Sequence, residues 1–439
     1  MEKKYFLELL NSLNISEDII LSIASEKGFV ERIRLIKPPD YLYSMCSESI
    51  NGTVSCNDIA ANMETNNGTS VSRQAVYKKM TDSCCSFFQE VLSMIIKAKI
   101  KNSQIDEIRP LKNFKRVLVQ DSTIIRLPSR LLPIYSGVSN NTTVACNARI
   151  QGVYDLISES FIYFTIDPYS KNDLDSASDL CLQKGDLTLR DRGYLKLGEF
   201  QRHIDAEANC IFRYKHNMLL LDPVSRKPIN LLSLLKKEKN IDMEVMLNNK
   251  ERSVVRLVAT PVDKKIANHR RRKAKKENKS KPSKEYLAEL SWSIFITTIP
   301  KEIADYVLIF KLYCLRWRIE IIFKSWKSNM SFAEIHDVSN IQLTVLLMAR
   351  FIMILICSQL IFCPCRILVK QHFNKDLSLM KLTHYLIRNP QKITELLKVV
   401  HEYQGKAQNS FYSLSRYCAY DKRKRSNFQQ ELDWAFSLS

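Results

Sequence analysis

The chain has 439 residues and a formal net charge of +20, from 66 Lys and Arg against 46 Asp and Glu. This length predicts about three domains, and a hydrophobic share of 45% is typical of a soluble globular protein. The basic excess predicts a polyanionic partner: DNA, RNA or an acidic membrane surface. The 12 cysteines are scattered without paired Cys-x2-Cys spacing, which excludes a zinc ribbon or disulfide scaffold and predicts reduced thiols.

The most apolar stretch, residues 341–363, raises the question of a membrane location. Arg350 lies near its middle, and an arginine at the centre of a bilayer is costly. The stretch therefore predicts a buried helix of a soluble core, with no membrane partner. The amino terminus, Met1–Tyr5, is followed by acidic residues and lacks a long apolar region, so we expect a cytoplasmic protein.

Residues 1–105 show helical apolar periodicity and predict a helical amino-terminal domain. Within it, Ser55–Met63 and Ser72–Met80 resemble a helix-turn-helix, although a linker of residues 64–71 is longer than a tight turn. The second segment either contacts DNA or packs as an ordinary helix, and the sequence leaves both readings open. The side chains that would face a DNA groove are Arg73, Gln74, Tyr77 and Lys78.

After this domain the apolar period changes to that of strands. Residues 116–121 predict a short buried strand that ends at Asp121, and another predicted strand ends at Asp191. Gly193 follows the second acid closely, and in a chain with only 9 glycines it indicates a specific backbone requirement. We also expect strands at 145–157 and 161–166, and a helix near 173–183.

Residues from about Asn209 to Pro300 are again rich in strand patterns and predict a β insertion. Trp292 opens one of its strands. Residues 264–284 carry eleven Lys and Arg against the single acid Glu277, a net charge of +10. We expect this run to be a mobile solvated loop whose charge suits a phosphate backbone.

The most distinctive spacing of the chain follows the insertion. Four residues recur at helical intervals and predict one helical face within an arc of about 60°: Tyr313, Arg316, Glu320 and Lys327. A neighbouring stripe predicts that the helix packs on a core, and it comprises Leu312, Leu315, Ile319, Ile322, Phe323 and Trp326. An ordinary amphipathic helix shows the same pattern, so its interpretation depends on companions elsewhere.

Helices are expected from Pro300 to about Val400, with breaks at Pro364 and at Asn389–Pro390. The chain then becomes polar and aromatic and contains the basic run Lys422–Arg425. For this final segment the sequence predicts only a contact with DNA or with another subunit.

Asp121, Asp191 and Glu320, if they converge, form an oxygen-rich site of the type that Mg²⁺ or Mn²⁺ prefers. Two such ions can activate a water or a 3′-hydroxyl and stabilise the leaving oxygen in a displacement at phosphorus. The dispersed histidines offer no competing nucleophile motif, and we expect His203 and His336 to be packing or surface residues.

The complete Y-x2-R-x3-E-x6-K spacing that begins at Tyr313 resembles the signature of hairpin-forming bacterial insertion-sequence transposases, insertion sequence family four within the DDE group. The segments around Asp121 and Asp191 resemble the first- and second-acid motifs of that family. The resemblance implies an α/β fold, a ribonuclease-H-like core interrupted by a β-strand-rich insertion, with helical N- and C-terminal regions. The predicted domains are 1–105, helical with the possible helix-turn-helix; 106–205, the first part of the core; 206–299, the insertion; 300–370, the second part of the core; and 371–439, a C-terminal helical region.

The resemblance also implies cut-and-paste DNA transposition. A metal-activated water would nick the element end, the freed 3′-hydroxyl would attack the opposite strand to form a hairpin, and strand transfer into target DNA would follow. Asp121, Asp191 and Glu320 would hold two Mg²⁺ ions, for which Mn²⁺ can substitute. The implied partners are inverted-repeat ends and target DNA, with a homodimer in the synaptic complex and a cytoplasmic, nucleoid-associated location.

The same resemblance assigns supporting roles. Phosphates near the scissile bond would be held by Tyr313, Arg316 and Lys327. Trp292 either stacks on a flipped base or is an ordinary aromatic residue of a buried strand. Arg190 departs from the small residue common before the second acid, which leaves the local packing open.

Two alternatives belong to other functional classes. A catalytically inert, domesticated copy would act only as a DNA-binding protein, but the presence of all three acids argues against decay. A nonspecific metal-dependent nuclease would share the core but would not need the helix-turn-helix-like segment, the tryptophan or the clamp for a hairpin.

Overall fold

The structure, a computed structural model, describes residues 2–98, 113–137, 139–140, 143–277, 281–389, 392, 396, 408–421 and 430. These residues form two compact units. The helical unit comprises the described residues of Met1–Ile108, Ser122–Lys171 and Arg318–Gln429, and the sheet unit those of Arg109–Asp121, Asn172–Trp317 and Gln430–Ser439. The basic run Lys422–Arg425 lies outside the described residues.

Many helices begin directly after a polar residue whose side chain accepts a hydrogen bond from a first-turn amide, as at Ser55, Ser72 and Ser339. The helices are α1 (Lys3–Ser12), α2 (Glu17–Glu26), α3 (Pro38–Ser49), α4 (Cys56–Asn67), α5 (Arg73–Lys79), α6 (Asp82–Lys97), α7 (Leu197–Asp205), α8 (Leu231–Lys237), α9 (Lys264–Glu277), α10 (Lys284–Glu289), α11 (Tyr306–Cys314), α12 (Trp317–Asn329), α13 (Asn340–Leu355), α14 (Cys363–Phe373), α15 (Leu379–Arg388) and α16 (Gln408–Tyr417).

The described residues include eleven strands, and several of these strands are buried along most of their length. They are β1 (Arg116–Leu127), β2 (Ser139–Asn140), β3 (Thr143–Val144), β4 (Cys146–Asp155), β5 (Ser160–Pro168), β6 (Asp186–Arg190), β7 (Asn209–Arg213), β8 (Leu220–Leu221), β9 (Ile241–Leu247), β10 (Val254–Pro261) and β11 (Trp292–Thr297). The predicted strands at 116–121, 145–157 and 161–166 are confirmed as β1, β4 and β5, and β1 runs six residues past Asp121.

The sheet unit has parallel and antiparallel parts. The first half of β1 is parallel to β6, and β6 is parallel to β7. Beyond β7 the order continues through β11, β10, β9 and β8 with antiparallel pairing, so the strands within residues 209–297 are neighbours in one sheet. A buried cluster that includes Phe200, Phe212, Val245 and Leu257 forms the core of this unit. The whole is a mixed α/β fold, as predicted.

The helical unit has an aromatic core between α12, α13 and β5. The rings of Phe164 and Phe351 stack with centroids 4.2 Å apart, and Phe161 lies 4.8 Å from Trp326. Gly152 of β4 leaves room for Phe323, because a Cβ at this glycine would come within 3.0 Å of the phenylalanine ring. The apolar stripe predicted for residues 312–326 is therefore buried, as expected.

Arg350 is fully buried in the middle of the long apolar helix. Its guanidinium donates hydrogen bonds to four backbone carbonyls, at 2.7 to 2.9 Å, from Ser49, Gly52, Phe332 and Glu334. The continuous helical run Asn340–Phe373 is long and apolar enough to cross a membrane, but 89% of its most apolar window is buried inside the protein. This agrees with the prediction of a core helix.

The expected break at Pro364 is wrong, because the helical run continues through it. Residues Ile356–Phe362 form a wider π-helical segment, and Pro364 lies in the first turn of α14. Proline lacks an N–H and crowds the preceding turn, and a widened turn directly before it accommodates both effects.

Two other predicted segments differ. Residues 264–277, expected in a mobile loop, form helix α9, in which Ala267 and Ala274 are buried at a spacing of two turns. The helix expected near 173–183 is reduced to one 3₁₀ turn at Ala177–Asp179.

In the amino-terminal region α4 extends to Asn67, so the linker before α5 is five residues long and shorter than expected.

Candidate active site

Asp121 and Asp191 directly follow a pair of residues on neighbouring parallel strands. The register of β1 and β6 pairs Gln120 with Arg190, and each acid is the next residue along the chain. Asp121 continues in β1, whereas β6 ends at Arg190, so Asp191 lies just past the end of its strand. Gln120 and Arg190 are fully buried, whereas Asp121 is half-buried and Asp191 is exposed.

Asp191 is held by its local backbone. It caps the 3₁₀ turn Arg192–Tyr194, and its Oδ1 accepts a hydrogen bond of 2.7 Å from the amide of Arg192. Gly193, which the sequence singled out, faces the side chain of Asp173. A Cβ at Gly193 would make an ordinary van der Waals contact of 3.4 Å with the Asp173 carboxylate, so this contact does not require glycine.

Arg190 resolves the packing question that the sequence left open. Its side chain is fully buried and donates from Nη1 to Glu199 Oε2 at 2.7 Å and to the carbonyl of Ala177 at 3.1 Å. Burial lowers its pKa, and the neighbouring Glu199 opposes that shift. The strand can therefore carry a large cation before the acid because α7 supplies its counter-ion.

The predicted continuous helix from Tyr313 to Lys327 is wrong. Helix α11 ends at Cys314, Leu315 and Arg316 form a turn, and α12 starts at Trp317. The signature residues therefore do not share one helical face, although Glu320 and Lys327 lie two turns apart on α12.

Tyr313 is buried, with 8% of its surface exposed, and its hydroxyl donates to the carbonyl of Arg190 at 3.3 Å. Its ring packs on Phe295, with centroids 4.6 Å apart. Burial raises the pKa of Tyr313 to about 12, so the hydroxyl stays protonated and remains a donor near neutral pH.

Arg316 reaches the first acid. Its Nη1 lies 3.8 Å from Asp121 Oδ2, and its guanidinium stands over the rings of Tyr313 and Trp317 at 5.9 and 5.4 Å. The sheet unit thus gathers Asp121, Asp191, Tyr313 and Arg316.

Glu320 and Lys327 belong to the helical unit. Glu320 is half-buried, and Lys327 Nζ donates to the carbonyl of Ile124 on β1 at 2.7 Å. Burial lowers the pKa of Lys327. This lysine therefore connects α12 to the second half of β1 within the helical unit.

The donor chemistry of the two aspartates fits a divalent cation, since paired carboxylate oxygens are the ligands that Mg²⁺ prefers. Among the residues that the structure describes, no three Asp, Glu, His or Cys side chains gather as a metal centre would need. Asp121 and Asp191 belong to the sheet unit, and Glu320 belongs to the helical unit.

Trp292 starts β11, paired with Pro261 of β10. It is half-buried and packs against the core of the sheet unit. Arg270 of α9 donates to the carbonyl of Trp292 and to Ser293 Oγ, each at 3.0 Å. The residue is thus anchored by its backbone and remains partly exposed.

Sequence reasoning missed a group of arginines near the second acid. Burial lowers the pKa of Arg213, and the charge of Arg192 lowers it further, while Asp191 and Tyr313 act in the opposite direction. Burial and both of these arginines lower the pKa of Arg270 to about 10. Alternation along β7 could have indicated Arg213, whereas Arg270 was hidden within a run of similar charges.

In the amino-terminal region, α4 and α5 adopt the two-helix arrangement that the sequence suggested. Val76 is the buried residue of α5, and its carbonyl accepts from the hydroxyl of Tyr41 at 3.4 Å. The remaining surface of α5 exposes the predicted groove-facing side chains Arg73, Gln74, Tyr77 and Lys78.

Comparison with known proteins gives a consistent result. A family model described as the transposase DDE domain matches residues 71–356. The chain is 26% identical over 420 residues to the transposase for insertion sequence element IS231F of Bacillus thuringiensis subsp. israelensis, covering 87% of each chain. It is 26% identical to the IS231E transposase of Bacillus thuringiensis subsp. finitimus, covering 90% of each, and 25% identical to the IS1151 transposase of Clostridium perfringens, covering 88% and 87%.

Proposed function

Because this chain belongs to the transposase DDE domain family, we propose that it moves a bacterial insertion sequence by cut-and-paste transposition through a hairpin intermediate. Its relatives are named as transposases of insertion sequences, and the matched region contains all three predicted acids. The chain is thus a DNA-cleaving and strand-transferring enzyme of the DDE class. The main support within the molecule is the register of β1 and β6, which pairs Gln120 with Arg190, the residues directly before Asp121 and Asp191.

We propose that Asp121, Asp191 and Glu320 are the carboxylate ligands of two Mg²⁺ ions, with Mn²⁺ as a substitute. When bound, such ions would favour deprotonation of a water or 3′-hydroxyl and would stabilise the leaving oxygen. Glu320 is assigned because it follows Arg316 by four residues, and Arg316 lies 3.8 Å from Asp121.

Arg316 and Lys327 are proposed to hold phosphates of the element end. In the absence of DNA, Arg316 neutralises part of the charge at Asp121, and a guanidinium suits a phosphate that arrives there. Tyr313 would join this grip only if its hydroxyl left the Arg190 carbonyl. We therefore assign Tyr313 first to positioning the backbone before Asp191.

Trp292 is proposed to stack on a base flipped out while the hairpin forms. Its partial exposure and the hydrogen bond from Arg270 to its backbone carbonyl support this role, because a residue on which a base stacks must be both accessible and fixed in position. Packing on the core of the sheet unit is the competing explanation.

The remaining assignments concern organisation. Helix α5 is proposed to contact the terminal repeat through Arg73, Gln74 and Tyr77, which are exposed. We also propose that the fold is a ribonuclease-H-like core with an insertion between the second and third acids, in the domain pattern given above. A homodimer at paired inverted repeats and a cytoplasmic, nucleoid-associated location complete the proposal.

The alternative functions are a catalytically inert DNA-binding protein and a nonspecific metal-dependent nuclease. One experiment separates all three. The purified chain is incubated with duplexes that carry the DNA flanking its own gene, with and without Mg²⁺, and the products are resolved on a denaturing gel. A hairpin product that requires Mg²⁺ supports the transposase; cleavage without a hairpin indicates the nuclease; and binding without cleavage indicates the inert protein.

A further inference from the structure

A cationic cleft of about 700 Å³ lies beside α5 in the helical unit. One wall is the segment Glu31–Ile36 between α2 and α3, and the other is α5, with Ala75, Lys78 and Lys79. Four basic side chains line it against one acid, Glu31; they are Arg32, Arg34, Lys78 and Lys79. The segment Glu31–Ile36 precedes the family match, which starts at residue 71, and the function proposed above makes no use of this segment.

The first wall is a fixed protrusion. Before it, Phe29 is buried and stacks on Phe87 with centroids 5.0 Å apart, and after it Ile36 is buried. Between these anchors every residue from 31 to 35 is exposed, including Ile33 and Leu35 at 56% and 61%. Two large apolar side chains therefore alternate with Arg32 and Arg34 on a segment that projects into solvent.

The second wall is tied to the base of the first. Lys79 donates from Nζ to the carbonyl of Phe29 at 3.4 Å and stands over the Phe29 ring at 5.1 Å. The cleft thus keeps its width through a contact between α5 and the foot of the protrusion. Within the described part of the chain, no carboxylate forms an ion pair with Arg32, Arg34 or Lys78.

We propose that this cleft holds one sugar–phosphate strand of duplex DNA, with α5 in the major groove and the Arg32–Leu35 segment in the adjacent minor groove. In duplex DNA each sugar–phosphate strand lies between the major and the minor groove. A cleft with a helix on one side and a narrow extended segment on the other can therefore hold that strand with one wall in each groove. The major groove admits a helix, whereas the minor groove is about 6 Å wide and suits an arginine-bearing arm. This inference rests on the proposed contact of α5 with the element end.

The chemistry of the protrusion fits this partner. Guanidinium groups are attracted into narrow A·T-rich minor grooves, and apolar side chains can wedge between base steps there. Arg32 and Arg34 would supply the first interaction, and Ile33 and Leu35 would supply the second. Duplex RNA would be a poor partner because its minor groove is wide and shallow.

The test uses the full chain with Arg32→Gln/Arg34→Gln and, as a control, Lys4→Gln/Lys97→Gln, which removes two exposed cations of the helical unit outside the cleft. Each protein is titrated with a duplex from the gene flank and with a scrambled duplex. Raising the salt from 50 to 200 mM lowers the DNA affinity of each protein. If the arginine variant has lost two phosphate contacts, its loss of affinity over this range should be about twelvefold smaller than that of the wild type. Hydroxyl-radical cleavage should show that minor-groove protection disappears at one side of the α5 contact.

The outcomes are distinguishable. Unchanged salt dependence and protection in the arginine variant, with wild-type binding intact, would overturn the cleft assignment alone. An equal loss in the lysine control would overturn it as well, since general charge would then explain the effect. Failure of the wild-type chain to bind the flank duplex in preference to the scrambled one would overturn the proposed recognition by α5 together with this inference.

Discussion

The hydroxyl of Tyr313 donates to the backbone carbonyl of Arg190, one residue before Asp191, at 3.3 Å. A signature residue expected to grip DNA thus holds the strand end that presents the second acid. The Arg190 side chain fixes the same residue from the other side through Glu199. Asp191 is positioned by the backbone before it, and this has a measurable consequence.

We expect Tyr313→Phe to raise the Mg²⁺ concentration needed for half-maximal cleavage by about fivefold, as the loss of one buried hydrogen bond would predict. DNA affinity and its salt dependence should not change. Tyr306→Phe, at the start of the same helix, is the matched control. Weaker DNA binding in Tyr313→Phe at unchanged metal dependence would instead assign the hydroxyl to a phosphate.

Asp121→Asn, Asp191→Asn and Glu320→Gln should each reduce Mg²⁺-dependent cleavage by at least about a hundredfold, because each removes charge where a cation must bind and changes little volume. Binding of the flank duplex should be largely kept. Asp205→Asn, an exposed acid on α7, serves as control. A variant that cleaves at the wild-type rate would remove its residue from the metal site.

Trp292→Ala should leave the first nick intact and slow hairpin formation, because stacking on a base is worth about 1–3 kcal/mol. Trp292→Phe should recover part of the hairpin rate. Separate rates for the nick and the hairpin on a labelled duplex provide the measurement. Equal damage to both steps would mean that the tryptophan acts through packing on the sheet core.

Arg350→Met should destabilise the protein by about 4 kcal/mol or more, because buried carbonyls lose their donor and each unsatisfied group is costly. Urea unfolding followed by circular dichroism would measure the change. Arg388→Met, at an exposed position, should be close to neutral. Similar midpoints for the two variants would contradict the structural role of Arg350.

His203 predicts a pH dependence of stability. It is fully buried, and burial lowers its pKa from 6.5 to about 4. Below pH 6.5 the unfolded chain gains a proton that the folded chain does not, so stability should fall towards pH 4 by on the order of 3 kcal/mol. His203→Gln should flatten this part of the profile. An unchanged slope would show that other groups control the acid response.

Some features could be predicted because they depend on local pattern. The pattern around residues 116–121 and 186–191 predicted two strands, and both are present as parallel neighbours. The predicted end at Asp121 is wrong, because β1 continues to Leu127. Other features depend on tertiary contacts. The short turn at Leu315 and Arg316 leaves the helical periodicity of the sequence nearly unchanged, so the sequence pattern did not predict it. Helix α9 was not predicted because its only buried residues are two alanines within a charged run.

The environment of Arg190 shows the same limit. The sequence does not indicate which residue neutralises a buried cation in a strand. For Arg190 this residue is Glu199, which lies on helix α7. The predicted convergence of Glu320 with the two aspartates is a question of assembly and stays a prediction.

The carbonyls that hold Arg350 have an implication for dissecting the protein. Ser49 and Gly52 supply two of the four carbonyls. In a fragment that begins at residue 71, where the family match starts, the buried guanidinium of Arg350 would lose half of its hydrogen-bond acceptors. Residues 49–52 therefore stabilise the core around Arg350. A fragment that lacks them should unfold more readily than the full chain.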